Sequence, residues 1–374
     1  MIFEESVTET QTVRFILDKT KSFDELTLNI LTKQPGKVIV FCDEALRNTW
    51  LPALQKKLHN FFPLEGIIFL KAEEASKDLR SFAFLVDHLA HLKCSRDDLI
   101  VALGGGTILD AISFLASVYM RGIPLMMIPT TLIGQADAAT AGKTCINTEY
   151  SKNLLGTLYL PRVVYNNVTL LHTNSPYQMR QGFSEVFKYG LLGSHRLLDL
   201  LMAYKEVPSD DVMIEIVRET INVRIKIRRQ DPLASNLGHT FGHALEKYSH
   251  YEVSHGDAIA AGIMMALTFS VEQSIISSEL KDYVVILMNR LALNRRVQQG
   301  IDAEAITALM RGDKKSSSEK IGLVLIKDIA LPYNNNGSPF YMVEPDRVKN
   351  FLTRFFDTHD NIWIDHWNKL KQDV

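Results

Sequence analysis

Between Lys37 and Asn167 short apolar runs alternate with amphipathic segments. KVIVFCD, GIIFL, DDLIVALGGG, PLMMIPTT and RVVYNN are separated by stretches such as LPALQKKLHNF and LRSFAFLVDHLAHL. Alternation of this kind predicts a parallel sheet with helices on its faces. Beyond Ser175 the pattern changes: segments of helical period dominate, and only GLVLIKDIAL and PFYMVEP read as strands. Ser175-Pro176 supplies an N-cap and a first-turn proline for the helix that follows. A chain of 374 residues also exceeds what one core ordinarily organises. The expectation is therefore an α/β domain over residues 1–174 and a mostly α-helical domain over 175–374.

A formal net charge of −2 gives no overall electrostatic reason to bind nucleic acid or an anionic membrane. Any anionic ligand must be met by local lysines and arginines. Cys42, Cys94 and Cys145 are odd in number and far apart, which fits free thiols in a reducing compartment and predicts a cytoplasmic location. The opening MIFEESVTET lacks the basic-then-apolar order of a secretory signal. The apolar stretch from Ala258 to Val271 is shorter than the ~18 residues a spanning helix needs.

In LIVALGGGTILDAISFLA, Gly104, Gly105 and Gly106 stand between an apolar strand and an amphipathic helix. Backbone N–H groups at that helix start can face a phosphate with no Cβ between, although this is not the GxGxxG fingerprint and a tight turn alone would use the same residues. Asp110, one turn into the helix, faces ribose or nicotinamide in a nucleotide site and otherwise stabilises the first turn. Asp43 closes the strand KVIVFCD, where acids of such sheets accept ribose hydroxyls, and Glu74 with Lys77 follows the next strand.

Past the strand PLMMIP, the stretch PTTLIGQADAATAGKTCINTEYSKN gathers Thr130, Thr131, Asp137, Gly142, Lys143, Lys152 and Asn153. Open α/β sheets bind ligands at that carboxyl edge. The two lysines and the asparagine suit a phosphate, and Asp137 suits sugar hydroxyls or proton transfer. Cys145 is expected to be a buried small residue rather than a thiolate ligand.

His239 and His255 lie sixteen residues apart in NLGHTFGHALEKYSHYEVSHGDA, with Glu185 upstream in GFSEVFKYG. Two imidazoles and a carboxylate leave a divalent metal an open coordination position, as in catalytic sites. Glu185 and Lys188 are three apart, and His239 and His243 four apart, so each pair shares a helix face. The spacing leaves open whether both histidines of HTFGH chelate, or one coordinates while the other carries a proton or meets a phosphate. His250, in KYSHYE, reads as a polar helix end.

Taken together, GGGTILD, YMRGIPLMMIPTTL, the segment from Asp137 to Lys143, KNLLGTLYLP, GFSEVFKYG, NLGHTFGHALE, SHGDA and the DKK at 313–315 resemble the 3-dehydroquinate synthase family of sugar-phosphate cyclases, in the family's order and over about two thirds of the chain. The resemblance implies a Rossmann-like α/β domain followed by a helical one, in a homodimer that uses NAD+ and one divalent metal, zinc or cobalt. It implies that Glu185, His239 and His255 hold the metal. Asp43, Glu74, Lys77, Gly105, Gly106, Asp110, Thr130 and Thr131 line the NAD+ site. Lys143, Asn153, His243 and one lysine of DKK, taken as Lys314, surround the substrate phosphate. Lys188 and Asn236 make further substrate contacts, and Arg121 reaches in from a partner subunit. The implied reaction oxidises a ring hydroxyl, eliminates phosphate, reduces the ketone again and closes a carbocycle by aldol addition.

One segment departs from the family. An arginine that binds the substrate carboxylate is expected several residues before the first metal histidine, but in KIRRQDPLASNLGH that position is Pro232. Either Arg228 or Arg229 substitutes, or the substrate has no carboxylate, as in relatives of the 2-deoxy-scyllo-inosose or 2-epi-5-epi-valiolone synthase type. VSHGDA likewise departs from the usual LHGEA. Dehydroquinate synthesis leads, because SEVFKYG and the GKT segment look more like that enzyme. A metal-dependent polyol dehydrogenase on the same two-domain plan is the competing class.

Overall fold

A computed structural model describes residues 12–149, 152–203, 208–231, 233–293, 297, 300–312, 316 and 319–358. The chain divides into two compact units, Met1–His172 and Thr173–Val374.

The first unit is built from β1 (Arg14–Asp18), β2 (Val38–Asp43), α1 (Leu51–His59), β3 (Leu64–Leu70), α2 (Leu79–His91), β4 (Leu99–Gly104), α3 (Gly106–Val118), β5 (Leu125–Pro129), α4 (Leu132–Ala136), β6 (Lys143–Ile146), β7 (Leu155–Leu158) and β8 (Val163–Asn167). Six of these strands form one parallel sheet in the order β1-β8-β5-β4-β2-β3. Its inner strands are buried and mostly apolar because both faces are covered, with polar residues only at their carboxyl ends, Asp43 on β2 and Asn166 and Asn167 on β8. Along β2, Val38, Val40 and Cys42 pack with Leu51, Leu54 and Leu58 of α1, while Ile39 and Phe41 pack with Leu85 of α2 and Ile108, Ile112 and Leu115 of α3.

Since the strands are parallel, Asp43, Gly104 and Pro129 all end at one edge. From β2 the chain steps outward to β3 and then returns to β4 on the other side of β2. The crevice outside the ends of β2 and β4 is thus the switch point where open α/β sheets bind ligands.

Two features of this unit went unread in the sequence. RFILD adds β1 at the edge, paired with β8 from Arg14↔Val163 to Asp18↔Asn167, although it precedes the alternating region. The polar stretch after β5 is not all loop: β6 and β7 pair as an antiparallel hairpin, Lys143↔Leu158 to Ile146↔Leu155.

The second unit contains α5 (Pro176–Gly193), α6 (His195–Ala203), α7 (Asp210–Gln230), α8 (His239–Tyr248), α9 (His255–Glu272), α10 (Ser278–Arg290), α11 (Ala303–Arg311) and α12 (Pro345–Thr358), with short strands β9 (Ile321–Val324), β10 (Ile326–Asp328), β11 (Leu331–Pro332) and β12 (Phe340–Val343). Ser175 caps α5 in a reciprocal capping box with Gln178, ahead of Pro176. Every residue of α9 from Gly256 to Leu267 is buried, as befits a helix apolar on all sides. It is the central helix of this unit, packed against α5 and α8. Among the described residues, no helix is long and apolar enough to cross a membrane.

Candidate functional site

In the first unit the switch point carries the glycine turn. Gly105 is the N-cap of α3 and makes no side-chain cap hydrogen bond, so the first amides of that helix are suited to an anion. Asp43 ends β2 and accepts from the Ala45 N–H at 3.1 Å, and burial raises its carboxyl above the ordinary range. The Thr130 N–H donates to the Gly104 carbonyl at 3.0 Å. Thr131 caps α4 by accepting from Gly134 N at 3.1 Å.

Four predicted residues meet in one network. Lys77, only 2% exposed, donates to Asp110 Oδ2 at 2.7 Å and to Asn153 Oδ1 at 2.6 Å. Burial lowers the Lys77 ammonium and raises the Asp110 carboxyl, but the charge and hydrogen bond of Asp110, with Cys145 and Glu74, together hold the lysine above its ordinary value. Asn147, which sequence reasoning missed, ties in Glu74: its Nδ2 donates to Glu74 Oε1 at 2.7 Å, and its Oδ1 accepts from Asn153 N at 2.9 Å. Cys145 is half-buried rather than buried, and its thiol donates to Asp110 Oδ2 at 3.3 Å. Burial and the Asp110 charge push that thiol up to about 12, which keeps it protonated at neutral pH.

The other predicted residues of this unit are placed by the elements that carry them. Gly106 opens α3, Asp137 follows the last turn of α4, and Lys143 opens β6 as an exposed side chain. Lys152 is half-buried beside Asn153. Arg121 is exposed at a left-handed φ of 65°, between Met120 at 50° and Gly122 at 121°.

In the second unit α5, α8 and α9 bring the acid and the histidines together. Gly238 precedes His239 at a φ of +76°, a conformation in which an L side chain is strained, and a Cβ there would meet Ile263 N at 2.6 Å. Glycine thus lets α8 start against the backbone of α9. The result is a cluster in which His239 Nε2 and His255 Nε2 lie 3.6 and 3.3 Å from Glu185 Oε1. Ligand atoms of all three fall within 4.8 Å of one another. A tetrahedral cation with bonds of ~2.1 Å has edges of ~3.4 Å, so the spacing and the donor types fit a zinc- or cobalt-like ion. Lys188, 1% exposed, sits one turn along α5 and pairs with Glu185 Oε2.

The second nitrogen of each ring is also held. His239 Nδ1 is 3.1 Å from the Leu237 carbonyl, and His255 Nδ1 is 3.3 Å from Glu246 Oε1. Burial, reinforced by Lys188, His243 and His255, keeps His239 well below its ordinary pKa and hence neutral. Burial opposes charge on His255 too, but the Glu246 and Glu185 carboxylates outweigh it and raise that ring well above the ordinary value. His243 meets His239 edge-on, with centroids 5.2 Å apart, and lies stacked with His255 at 6.2 Å. Glu246 escaped sequence reasoning, although its place seven residues after His239 puts it on the same face of α8.

The departures around this cluster have local causes. Ser254, where the family has leucine, caps α9 by accepting from Asp257 N, and its hydroxyl donates to Gln181 Oε1 at 2.5 Å. Asn236 is half-buried three residues before His239, its carbonyl accepting from His239 N at 3.1 Å. Arg228 and Arg229 lie in the last turn of α7, where burial and the adjacent Arg224 and Arg229 charges lower Arg228 from its ordinary pKa. Pro232 and Lys314 lie outside the described residues. His250 follows α8 in an exposed turn at a φ of 50°.

Comparison with known proteins adds an independent line. Residues 67–181 match the 3-dehydroquinate synthase N-terminal family and residues 182–316 the C-terminal family. The 3-dehydroquinate synthase of Alkaliphilus oremlandii is 36% identical over 316 residues, 82% of this chain and 86% of that protein. That of Rhodopseudomonas palustris strain BisB18 is 30% identical over 348 residues, 88% and 90% of the two chains. Among solved structures, the 2-epi-5-epi-valiolone synthase of Streptomyces hygroscopicus, determined with NAD+ and Zn2+, superposes with a TM-score of 0.81 at 18% identity, over 95% of this chain and 99% of that one. A 2-deoxy-scyllo-inosose synthase with carbaglucose-6-phosphate, NAD+ and Co2+ gives 0.77 at 21%, over 91% and 96%. Glycerol dehydrogenase of Schizosaccharomyces pombe, a representative of the competing class, gives only 0.61 at 14%, over 100% and 95%. With both halves matched and relatives above 30% identity spanning most of its length, this chain belongs to the 3-dehydroquinate synthase family.

Proposed function

We propose that the chain is a 3-dehydroquinate synthase, a carbon–oxygen lyase that converts 3-deoxy-arabino-heptulosonate 7-phosphate to 3-dehydroquinate with release of phosphate. The observation that carries this is the convergence of Glu185, His239 and His255 in a chain matched through both halves by that family. We assign NAD+ to residues 1–174 and the metal with most substrate contacts to residues 175–374.

When bound, NAD+ supplies a reversible hydride acceptor, and a divalent cation held by Glu185, His239 and His255 supplies a Lewis acid for the hydroxyl being oxidised. The protein's own groups do the rest. Gly104, Gly105, Gly106, Thr130 and Thr131 shape the pyrophosphate cradle, and Asp43, Glu74, Lys77, Asp110 and Lys152 hold the remainder of the dinucleotide. Lys143, Asn153, His243 and Lys314 hold the substrate phosphate by charge-assisted hydrogen bonds. Asp137 serves proton transfer. Lys188 both balances the Glu185 charge and contacts substrate, with Asn236 beside it. The carboxylate falls to Arg228 or Arg229, on the last turn of α7.

We further assign the chain to a homodimer in the cytoplasm. The exposed Met120 and Val118 beside Arg121, and the exposed Leu155 and Leu158 of β7, form apolar surface of the kind that partner subunits cover. Free thiols at Cys42, Cys94 and Cys145 suit a reducing compartment.

The segment before His239, with Pro232 where the carboxylate-binding arginine is expected, supports one alternative, a cyclase of a carboxylate-free sugar phosphate. A coupled phosphate-release assay on the heptulosonate phosphate, glucose 6-phosphate and sedoheptulose 7-phosphate separates the two. Turnover of the first supports the proposal. Turnover of either other substrate, with none of the first, overturns it.

A further inference from the structure

We propose that Glu246 is a positioning residue for the metal centre: its carboxylate accepts the Nδ1 proton of His255 and so fixes the ring with Nε2 presented beside Glu185. This rests on the assignment of Glu185, His239 and His255 as ligands and adds to it the group that orients one of them.

The geometry is specific. His255 is addressed from both ends, by Glu185 Oε1 at 3.3 Å from Nε2 and by Glu246 Oε1 at 3.3 Å from Nδ1. The two nitrogens of an imidazole point in diverging directions, so one cation cannot be met through both, and a carboxylate on Nδ1 acts on the ring. Carboxylates in this position fix the tautomer and raise the basicity of the coordinating nitrogen. His239 has its Nδ1 against a neutral partner, the Leu237 carbonyl at 3.1 Å.

The need at His255 is greater. Its side chain is 35% exposed, against 8% for His239, so packing alone restrains it less. Glu246, at 16% side-chain exposure, closes off the far side of the ring. Helix α8 therefore provides one ligand directly, at His239, and the orienting group for the other ligand seven residues later.

A second arrangement competes. His243, Glu246 and His255 also bring ligand atoms within 4.8 Å of one another, so Glu246 could itself bind a second cation. The two cases differ in stoichiometry, which the experiment reads.

The test uses full-length protein, stripped of metal and titrated with Co2+ against a competing chelator, for the parent, Glu246→Gln and Glu246→Ala. Stoichiometry, affinity and the visible cobalt spectrum are recorded, with circular dichroism of each metal-free protein. The expected result is one cobalt per chain in all three, with affinity lowered about 10-fold in Glu246→Gln, which keeps an acceptor without charge, and up to about 100-fold in Glu246→Ala. The spectrum should keep the parent's band pattern, because no ligand is lost. Affinities within twofold of the parent in both variants overturn the proposal, as does a parent stoichiometry of two that falls to one in Glu246→Gln. If both variants lose the parent's circular dichroism, Glu246 is structural and the proposal fails. Failure of the parent itself to bind cobalt sinks the ligand assignment instead, which keeps the two claims separable.

Discussion

A Cβ on Gly262 would fall 2.1 Å from the carbonyl oxygen of Gly238: α9 passes α8 at backbone contact. That contact sets the separation of the two helices carrying His239 and His255. Gly262→Ala must push them apart, at a cost of about 1–3 kcal/mol for overpacking, and should lower cobalt affinity along with denaturant stability. Unchanged values of both would mean that the glycine contact does not set the ligand spacing.

Metal uptake should release a proton from His255. Its pKa in the metal-free protein is raised well above the ordinary value by Glu246 and Glu185, acting against burial. At neutral pH the ring therefore carries a proton on Nε2 that a cation must displace. His239, lowered by burial and its cationic neighbours, is already neutral and releases none. Affinity should rise with pH, by about tenfold per unit, until the raised pKa of His255 is passed. Calorimetry in buffers of different ionisation enthalpy should find about one proton released per cation, and none at neutral pH would contradict the pairing.

The Lys77–Asp110 pair predicts a defect confined to the dinucleotide. Asp110→Asn leaves the buried Lys77 ammonium with the Asn153 oxygen and no carboxylate in direct contact, only the field of Glu74. Because the Asp110 side chain is 25% exposed, water softens the loss, and about 2 kcal/mol of stability is expected to go. NAD+ affinity should fall by about tenfold or more, while cobalt affinity stays at the parent's value. Equilibrium dialysis with each ligand checks both parts.

Arg121, if it serves the partner's site, should show complementation between inactive parents. Arg121→Ala and Glu185→Gln homodimers would each be inactive. Unfolded together and refolded, they should give heterodimers with one intact site in two, restoring about a quarter of parental turnover. No recovery would place Arg121 in its own subunit's site or outside catalysis.

The α/β half was legible because its four inner strands are buried and largely apolar, and β3, though half-buried, still carries the apolar run GIIFL, with helices between β2, β3, β4 and β5. β1 was not: RFILD is half-exposed, sits at an edge and finds its partner only at Val163–Asn167. The hairpin of β6 and β7 hid because Lys143 and Thr144 read as ligand-binding polarity and Leu158, 84% exposed, has no period to announce a strand. In the site, Glu185, His239 and His255 carried their own signal through residue type. Glu246 and Asn147 did not, since an acid near the end of a helix and an asparagine just past a strand are ordinary residues until their partners are known.

The central claim is that Glu185, His239 and His255 hold one divalent cation. Crystals of the cobalt-loaded protein, with diffraction recorded on both sides of the cobalt absorption edge, test it most directly. The account predicts one strong anomalous peak per chain, within about 2.0–2.3 Å of Glu185 Oε1 and the Nε2 atoms of His239 and His255. A peak bounded by other side chains, or none at those three in protein shown to contain cobalt, would contradict it.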